Sequence, residues 1–455
     1  VPIVGRYRII DFVLSNFVNS GYDRIYVLTQ FMASSLIHHL NKVWHISGPT
    51  GGFIEEVPAQ MRAGQDWYRG TADSVYQNLN LIADNRPRDV AVFGGDHVYM
   101  MDVSRMQERH LDTDAELTVA AIPVPAAEAS RFGVLQVDSD GRVIGFAEKP
   151  DTPSEIPGRP GWSLASMGNY FFKRDVLVER LRDDSVSTTS SHDFGKDIIP
   201  AMVSEGRPVY VYDFGENRVP GSDPSQPPYW RDVGTVDSYF DVNMDARRQL
   251  PLMDLYNRSW PLRSAQRNYP PARFNSVGGR AAEIEDSMVC EGSIVSGATV
   301  RKSLLGYDCM VHRDAVVENT VMLSGSNVGA GCRIRGVLFD KNCSVEPGTV
   351  MGFDAEADRA RFPFISAAGI IVVPKGTHIP RTGPIELAGD IATLMAQDEV
   401  AQEILLEHAA DIVTSSRTRH SFDPVGPRFE RYGSAPSDTG PVPTLTSERA
   451  GNEEL

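Results

Sequence analysis

The chain has 455 residues, more than a single hydrophobic core usually organises, so two domains and a tail are expected. A hydrophobic share of 41% and a charged share of 23% are ordinary for a globular protein, and no apolar run reaches the length of a bilayer span, which argues against a membrane protein. Lys and Arg number 44 against 60 Asp and Glu, and the net charge of −16 repels nucleic acid, so a phosphate-bearing ligand must be small and held locally.

The chain enters directly at Val1-Pro2-Ile3 into a helical apolar pattern around Ile9, Ile10, Val13 and Leu14, which leads us to expect further residues upstream. From Arg24 to Asp245 short apolar runs alternate with amphipathic segments, the pattern of parallel strands joined by helices. Ile25–Leu28, Val90–Phe93, Leu117–Ile122, Met167–Phe172 and Val209–Tyr212 read as strands, and Ser34–Leu40, Thr71–Ile82, Val103–His110 and Asp175–Leu181 as helices. Asp140-Gly141 sits between two alternating runs in Gly133–Phe146 and predicts a hairpin. Asp151–Gly161 and Val219–Pro228 are rich in Pro and Gly and read as surface loops. Residues 1–250 thus predict an α/β domain with a mostly parallel, Rossmann-like sheet.

Residues 251–276 read as a linker. Beyond them the chain turns to β-branched, Gly-punctuated units with apolar residues six apart: Val289 and Val295; Leu305, Val311 and Val317; Val328 and Ile334; Val345 and Met351. That period predicts a hexapeptide parallel β-helix over 277–387, with an antiparallel sandwich as the alternative. Cys290, Cys309, Cys332 and Cys343 form no CxxC pair and follow no secretory leader, so they read as reduced core-fillers in a cytoplasmic protein. In the last stretch, 388–455, Ala388–Val413 has the spacing of an acidic amphipathic helix, and the composition after Ser415 predicts disorder.

Five motifs can carry chemistry. Asp96, in Gly94-Gly95-Asp96-His97 after a strand, reads as a Mg²⁺ ligand beside a nucleotide or as a turn cap. Asp232, in Trp230-Arg231-Asp232-Val233-Gly234-Thr235, is a second carboxylate suited to the same ion, or a helix cap. Lys149, in Glu148-Lys149-Pro150, can present a charge to a phosphate while Glu148 accepts from sugar hydroxyls; a solvated hairpin lysine is the alternative. Trp67-Tyr68-Arg69-Gly70-Thr71 leads an aromatic pair into a helix start whose amides can face a phosphate, or which Thr71 simply caps. Ser191-His192-Asp193-Phe194-Gly195 reads as a hydroxyl-binding loop rather than a catalytic His–Asp pair, because no nucleophile accompanies it.

Taken in order, these motifs resemble the bacterial ADP-glucose pyrophosphorylase family from Val1 to about Pro380. The resemblance also rests on Arg6–Phe12, Leu14-Ser15-Asn16, Pro58-Ala59-Gln60, Phe132-Gly133-Val134 and Ser166–Tyr170. It implies an α/β nucleotidyltransferase domain followed by a left-handed β-helix in a metabolite-regulated homotetramer, making ADP-glucose and pyrophosphate from ATP and glucose 1-phosphate for glycogen synthesis. By the same resemblance Asp96 and Asp232 hold Mg²⁺, and Lys149 grips the sugar phosphate. Glu148, Ser166, Tyr170, Asp193 and Trp230 surround glucose, while Gln60, Trp67, Tyr68 and Gly133 lie along the nucleotide and nucleotide-sugar path. Arg8, Lys341 and Lys375 match regions that contact anionic effectors.

Two departures stand out. The glycine-rich loop and Lys-Pro-Ala that family members carry just before the segment matching Val1 are not in this sequence, and we expect little synthesis from a chain starting there. Ala83-Asp84 stands where some relatives have arginines linked to nucleotide effectors, which leaves the inhibitor open. A sibling enzyme using another nucleotide or sugar, and a non-catalytic regulatory subunit, are the competing readings.

Overall fold

A computed structural model describes residues 1–31, 33–44, 52–60, 67–249, 251–383 and 385. The expected helix at 388–413 and the tail after Ser415 lie outside the described residues. Helix α1 (Ile9–Asn19) opens where Asp11 accepts the Arg8 amide at 2.8 Å, and α2 (Ser34–Val43) packs with it around Leu14, Leu40 and Trp44. Between them β1 (Arg24–Thr29) pairs in parallel with β2 (Phe53–Pro58), Arg24 opposite Phe53 and Thr29 opposite Pro58.

The expected helix over 71–82 is broken. It becomes α3 (Thr71–Tyr76) and α4 (Leu79–Asn85), because the Asn78 amide turns back to the Ser74 carbonyl and the Tyr68 hydroxyl. Next come β3 (Asp89–Phe93), β4 (His97–Tyr99), α5 (Val103–Asp112) and β5 (Leu117–Pro125). The expected hairpin is β6 (Gly133–Val137) against β7 (Val143–Glu148), turned at Asp140-Gly141.

At the centre lies β8 (Trp162–Lys173), of which the expected Met167–Phe172 is the second half. It runs antiparallel to β3, β5 and β6, with a register shift between Ser166 and Tyr170 on the β5 side. Helices α6 (Arg174–Ser185) and α7 (Ile199–Ser204) lead to β9 (Val209–Asp213), which is parallel to β5. So β3, β5, β6 and β9 share one direction, as crossovers dictate, and the sheet is mixed because β8 is threaded among them against that direction. Finally β10 (Trp230–Asp232) pairs antiparallel with β4 and leads into α8 (Val236–Ala246).

From Arg273 the chain coils through three parallel sheets, the cross-section of a left-handed hexapeptide β-helix. Successive turns stack in register, Val295 on Val311, then Val328, Val345 and Ile379. Leu305, Val317, Ile334 and Met351 point into the same core, as the six-residue period predicts. Cys309, Cys332 and Cys343 fill that core beside them, whereas Cys290 is half-buried; all four thiols are free. Helix α9 (Ala355–Arg361) interrupts the coil. A separate core joins the two parts: Ile3, Phe12, Phe240 and Trp260 pack with the coil's Leu304, Val321 and Leu338. Among the described residues no helix is long and apolar enough to cross a membrane.

Candidate active site

The pairing of β4 with β10 sets Asp232 opposite His97, one residue from Asp96. Asp96 is 80% exposed at its side chain, so its carboxylate faces outward from the loop. Asp232 is no helix cap. Thr235 takes that role by accepting the Ser238 amide at 3.1 Å, while Asp232 Oδ1 accepts the Gly234 amide at 2.8 Å and Oδ2 has no partner among the described residues. His97 Nδ1 lies 3.1 Å from the Met167 carbonyl, which can only accept, so this nitrogen carries the proton. The His97 ring meets Trp230 edge-on at 5.2 Å, and Phe132 meets Trp230 at 5.6 Å.

Phe132 also ties in Lys149, whose amide donates to its carbonyl at 3.0 Å. That bond fixes Lys149 in the left-handed region, φ +47, which a side chain with a Cβ seldom adopts, and leaves its ammonium exposed. Asp96, Asp232, Trp230 and Lys149 therefore belong to one connected surface. Asp96 and Asp232, brought near one another by the β4–β10 register and each with an oxygen uncommitted among the described residues, suit Mg²⁺, which takes one or two carboxylates and completes its shell with water and phosphate. Among the described residues no set of three or more His, Cys, Asp or Glu side chains gathers into a closed metal cage.

A second cluster adjoins Lys149. Gly133 faces Glu148 across the β6–β7 ladder, and a methyl group on Gly133 would stand 2.9 Å from Glu148 Oε2 and 2.6 Å from Phe146 Cζ, so only glycine leaves this space open. The same Glu148 oxygen lies 3.4 Å from the place a Gly195 Cβ would take. Asp193 Oδ1 accepts the amides of Gly195 and Lys196 at 2.9 and 3.0 Å, and its Oδ2 accepts the Thr71 hydroxyl at 2.8 Å. Tyr170 packs on Phe194 at 5.5 Å and hydrogen-bonds Ser166. Burial raises its phenol well above the ordinary value, with the Asp193 and Glu148 carboxylates adding to the shift. Gly133, Glu148, Ser166, Tyr170 and Asp193 thus come together. Trp230 bounds the neighbouring carboxylate pair, and its buried Nε1 has no partner among the described residues.

On the β1–β2 side, Gln60 is exposed just past the end of β2, and Trp67 is 50% exposed. Tyr68 is fixed by its amide, which donates to Gln30 Oε1 at 2.6 Å, and by the Asn78 amide on its hydroxyl. The helix start at Thr71 differs from expectation. Its Ala72 and Asp73 amides are already spent on the His192 carbonyl, at 2.9 and 3.3 Å, and Thr71 orients Asp193 instead of capping. His192 Nδ1 faces Asp184 Oδ2 at 2.7 Å in a buried pair, so it makes no dyad with Asp193.

Of the three expected effector residues, Lys341 and Lys375 stand on adjacent coils, where the Gly376 amide donates to the Lys341 carbonyl at 2.9 Å. Arg8 belongs elsewhere, at the start of α1, donating to the Ser35 carbonyl and hydroxyl. Phe132, Phe146 and Thr71 shape the site without having been singled out for that role. Phe132 opens the Phe132-Gly133-Val134 motif and Phe146 closes the hairpin segment, and only the pairing of β6 with β7 gives them their meaning.

The nucleotidyl transferase family profile matches residues 1–249, which contain this site, and a GlmU-like C-terminal hexapeptide profile matches residues 270–373. Glucose-1-phosphate adenylyltransferase 1 of Vibrio vulnificus (strain YJ016) is 47% identical over 379 residues, covering 83% of this chain and 93% of the relative. The chain belongs to the glucose-1-phosphate adenylyltransferase family of nucleotidyl transferases. Distant sources carry the same likeness: the glucose-1-phosphate adenylyltransferase of Thermus thermophilus is 49% identical over 386 residues, covering 83% and 92% of the two chains. That of Anaeromyxobacter sp. (strain Fw109-5) is 45% identical over 383 residues, covering 83% and 93%. In this adenylyltransferase-family chain the matched span takes in both the α/β site and the coil.

Proposed function

We propose that this protein transfers AMP from ATP to α-D-glucose 1-phosphate, giving ADP-glucose and pyrophosphate for glycogen synthesis. The reading rests on family membership together with one observation, the β4–β10 register that puts Asp232 across from the residue after Asp96. A phosphate oxygen of glucose 1-phosphate attacks the α-phosphorus of ATP in line, the bond to the bridging oxygen breaks, and pyrophosphate leaves with its electron pair. No covalent enzyme intermediate is needed, so the protein contributes position and charge neutralisation.

Asp96 and Asp232 would hold Mg²⁺, which when bound neutralises phosphate charge that two substrate anions bring together. Lys149 holds the phosphate of glucose 1-phosphate, its backbone fixed by Phe132. Glu148 and Asp193 accept sugar hydroxyls, Ser166 and Tyr170 complete that wall, and Trp230 closes it. Gln60, Trp67, Tyr68 and Gly133 line the nucleotide side. Anionic metabolites act through Arg8, Lys341 and Lys375, and the working form is a cytoplasmic homotetramer; sedimentation as a dimer or monomer would contradict the last point.

The deciding experiment offers ATP, UTP, dTTP and GTP separately with glucose 1-phosphate to the protein as its gene encodes it, and measures pyrophosphate release. ATP should be preferred by far. Preference for another nucleotide points to a sibling activity, and no release with any of them refutes the enzyme.

A further inference from the structure

Asp193, on the wall assigned to the sugar, has little freedom left. A carboxylate offers about four lone-pair directions. Oδ1 of Asp193 is filled by the Gly195 and Lys196 amides, and Oδ2 takes the Thr71 hydroxyl. The direction that remains on Oδ2 is the one a ligand hydroxyl can use. A hydrogen bond weakens steeply as its angle is lost, so the strength of that contact depends on how this residue is held.

The holding comes from the preceding residue, His192. It is buried, and its φ of +57 lies in the left-handed region that a residue with a Cβ seldom takes. A closed ring of hydrogen bonds keeps it there. Asp184, in the last turn of α6, accepts the Ser190 hydroxyl on Oδ1 at 2.6 Å and faces His192 Nδ1 with Oδ2 at 2.7 Å. A carboxylate can only accept, so Nδ1 donates. The Ser190 oxygen in turn accepts the His192 amide at 2.9 Å, which closes the ring from side chain back to backbone. With amide and imidazole both fixed, the His192 carbonyl is aimed at the start of α3, where it accepts the Ala72 and Asp73 amides. That sets Thr71 against Asp193. Asp197 also helps, its Oδ2 accepting the Asp193 amide at 3.0 Å and the Ser191 hydroxyl at 2.6 Å. Those bonds stay within 191–197, whereas His192 ties the loop to two separate helices, α3 and α6.

We propose that His192 is a positioning residue for sugar selection: through its ring with Asp184 and Ser190 it aims the remaining lone pair of Asp193 at a sugar hydroxyl. Its own side chain is spent on Asp184. The inference rests on the reading of this cluster as the sugar site. A site built to hydrogen-bond a hydroxyl rejects a sugar that presents it elsewhere, so loosening Asp193 should blunt the choice between epimers as well as weaken binding.

Pyrophosphate release from ATP with glucose 1-phosphate, galactose 1-phosphate or mannose 1-phosphate tests this in the whole protein. In His192→Ala the KM for glucose 1-phosphate should rise roughly 10-fold, about the value of one hydrogen bond, and the kcat/KM preference for glucose over an epimer should narrow. KM for ATP should hold, because Tyr68 is fixed separately by Gln30 and Asn78. Asp184→Ala breaks the ring from the far end without touching the left-handed residue, should do the same, and decides the matter where His192→Ala does not fold. His192→Asn should restore most of the loss, since asparagine tolerates that backbone region and its Nδ2 lies as many bonds from Cα as histidine Nδ1. A role in folding alone would lower the active fraction for all three sugars alike, leaving KM and preference unmoved. That result in the folded alanine variants overturns the proposal, as does a loss in His192→Asn equal to that in His192→Ala. Asp193→Asn separates this from the underlying reading. A raised KM for glucose 1-phosphate there, with none in the His192 and Asp184 variants, sinks the positioning role and leaves the sugar site standing; an unchanged KM in Asp193→Asn removes both.

Discussion

Asp96 carries little structural duty, since its side chain is 80% exposed and its contact with His97 Nε2 is as long as 3.7 Å. Asp96→Asn should therefore leave the melting temperature unchanged while lowering kcat by about 100-fold or more, the usual loss when a charge-stabilising group at a reacting centre is removed. Near-normal turnover in that variant would refute the assignment. Lys149→Ala should act differently. The backbone bond to Phe132 survives and only the ammonium goes, so KM for glucose 1-phosphate should rise by roughly 10-fold or more, the value of one charge-assisted contact, with KM for ATP little changed. An equal rise for both substrates would contradict the assigned role. His110 makes a prediction of another kind. It is buried against Thr118 Oγ1 at 2.8 Å, and desolvation lowers its pKa below the ordinary 6.5, although Asp89 opposes the shift. Its folded form resists the proton that the unfolded chain accepts. Stability from this group is thus fully present above pH 6.5 and is lost as the pH falls toward the depressed folded pKa. Urea midpoints at pH 7 and pH 5 should show a smaller acid loss in His110→Gln than in the unaltered protein; an identical slope would remove His110 from the account.

At the scale of elements, the pin between α3 and the 191–195 loop matters most. A Cβ on Gly70 would stand 2.4 Å from the His192 carbonyl oxygen and 2.5 Å from that of Ser191, so Gly70→Ala must push these segments apart. The overpacking should cost about 1–3 kcal/mol. Because Thr71 and Asp193 are joined across the same contact, KM for glucose 1-phosphate should rise too; thermal melts and kinetics that match the unaltered protein would show that the loop adapts freely. This pin also marks where sequence reading stops. The strands at 25–28, 90–93, 117–122 and 209–212 were legible because their apolar runs are local signals, and so was the hairpin turn at Asp140-Gly141. The direction of β8 was not, since periodicity is the same whichever way a strand runs and only its partners fix the hand of the ladder. Likewise the amides of Ala72 and Asp73 look free in a linear chain. They are consumed by a carbonyl some 120 residues away, as His192 is by Asp184. Composition named the residue types at the site; long-range pairing decided which of them were still available.

Over the whole molecule, two cores share one surface. The coil interior is built from residues such as Val317 and Ile334, which cluster with other coil residues, and the six-residue period exposes that core in the sequence. Leu304, Val321 and Leu338 lie on another of the coil's three sheets and face outward, into a core completed by Ile3, Phe12, Phe240 and Trp260. No periodicity within either half announces that joint, because each contributes only part of its apolar surface. Trp260 extends it toward the site: its Nε1 donates to Asn16 Oδ1 at 3.2 Å, and the Asn16 amide nitrogen donates to the Tyr99 carbonyl on β4, the strand that pairs with Asp232. Coil and β4 are therefore mechanically linked through a buried tryptophan and an asparagine. Scanning calorimetry should accordingly show one unfolding transition for the unaltered protein. Leu304→Ala, which leaves the coil interior intact but opens the shared core, should cost about 2–5 kcal/mol and separate the transition into two. Val317→Ala weakens the coil from inside while the joint remains, and should lower a single transition without splitting it. Two transitions in the unaltered protein, or none gained in Leu304→Ala, would mean that the halves fold independently and that the route through Trp260 carries no load.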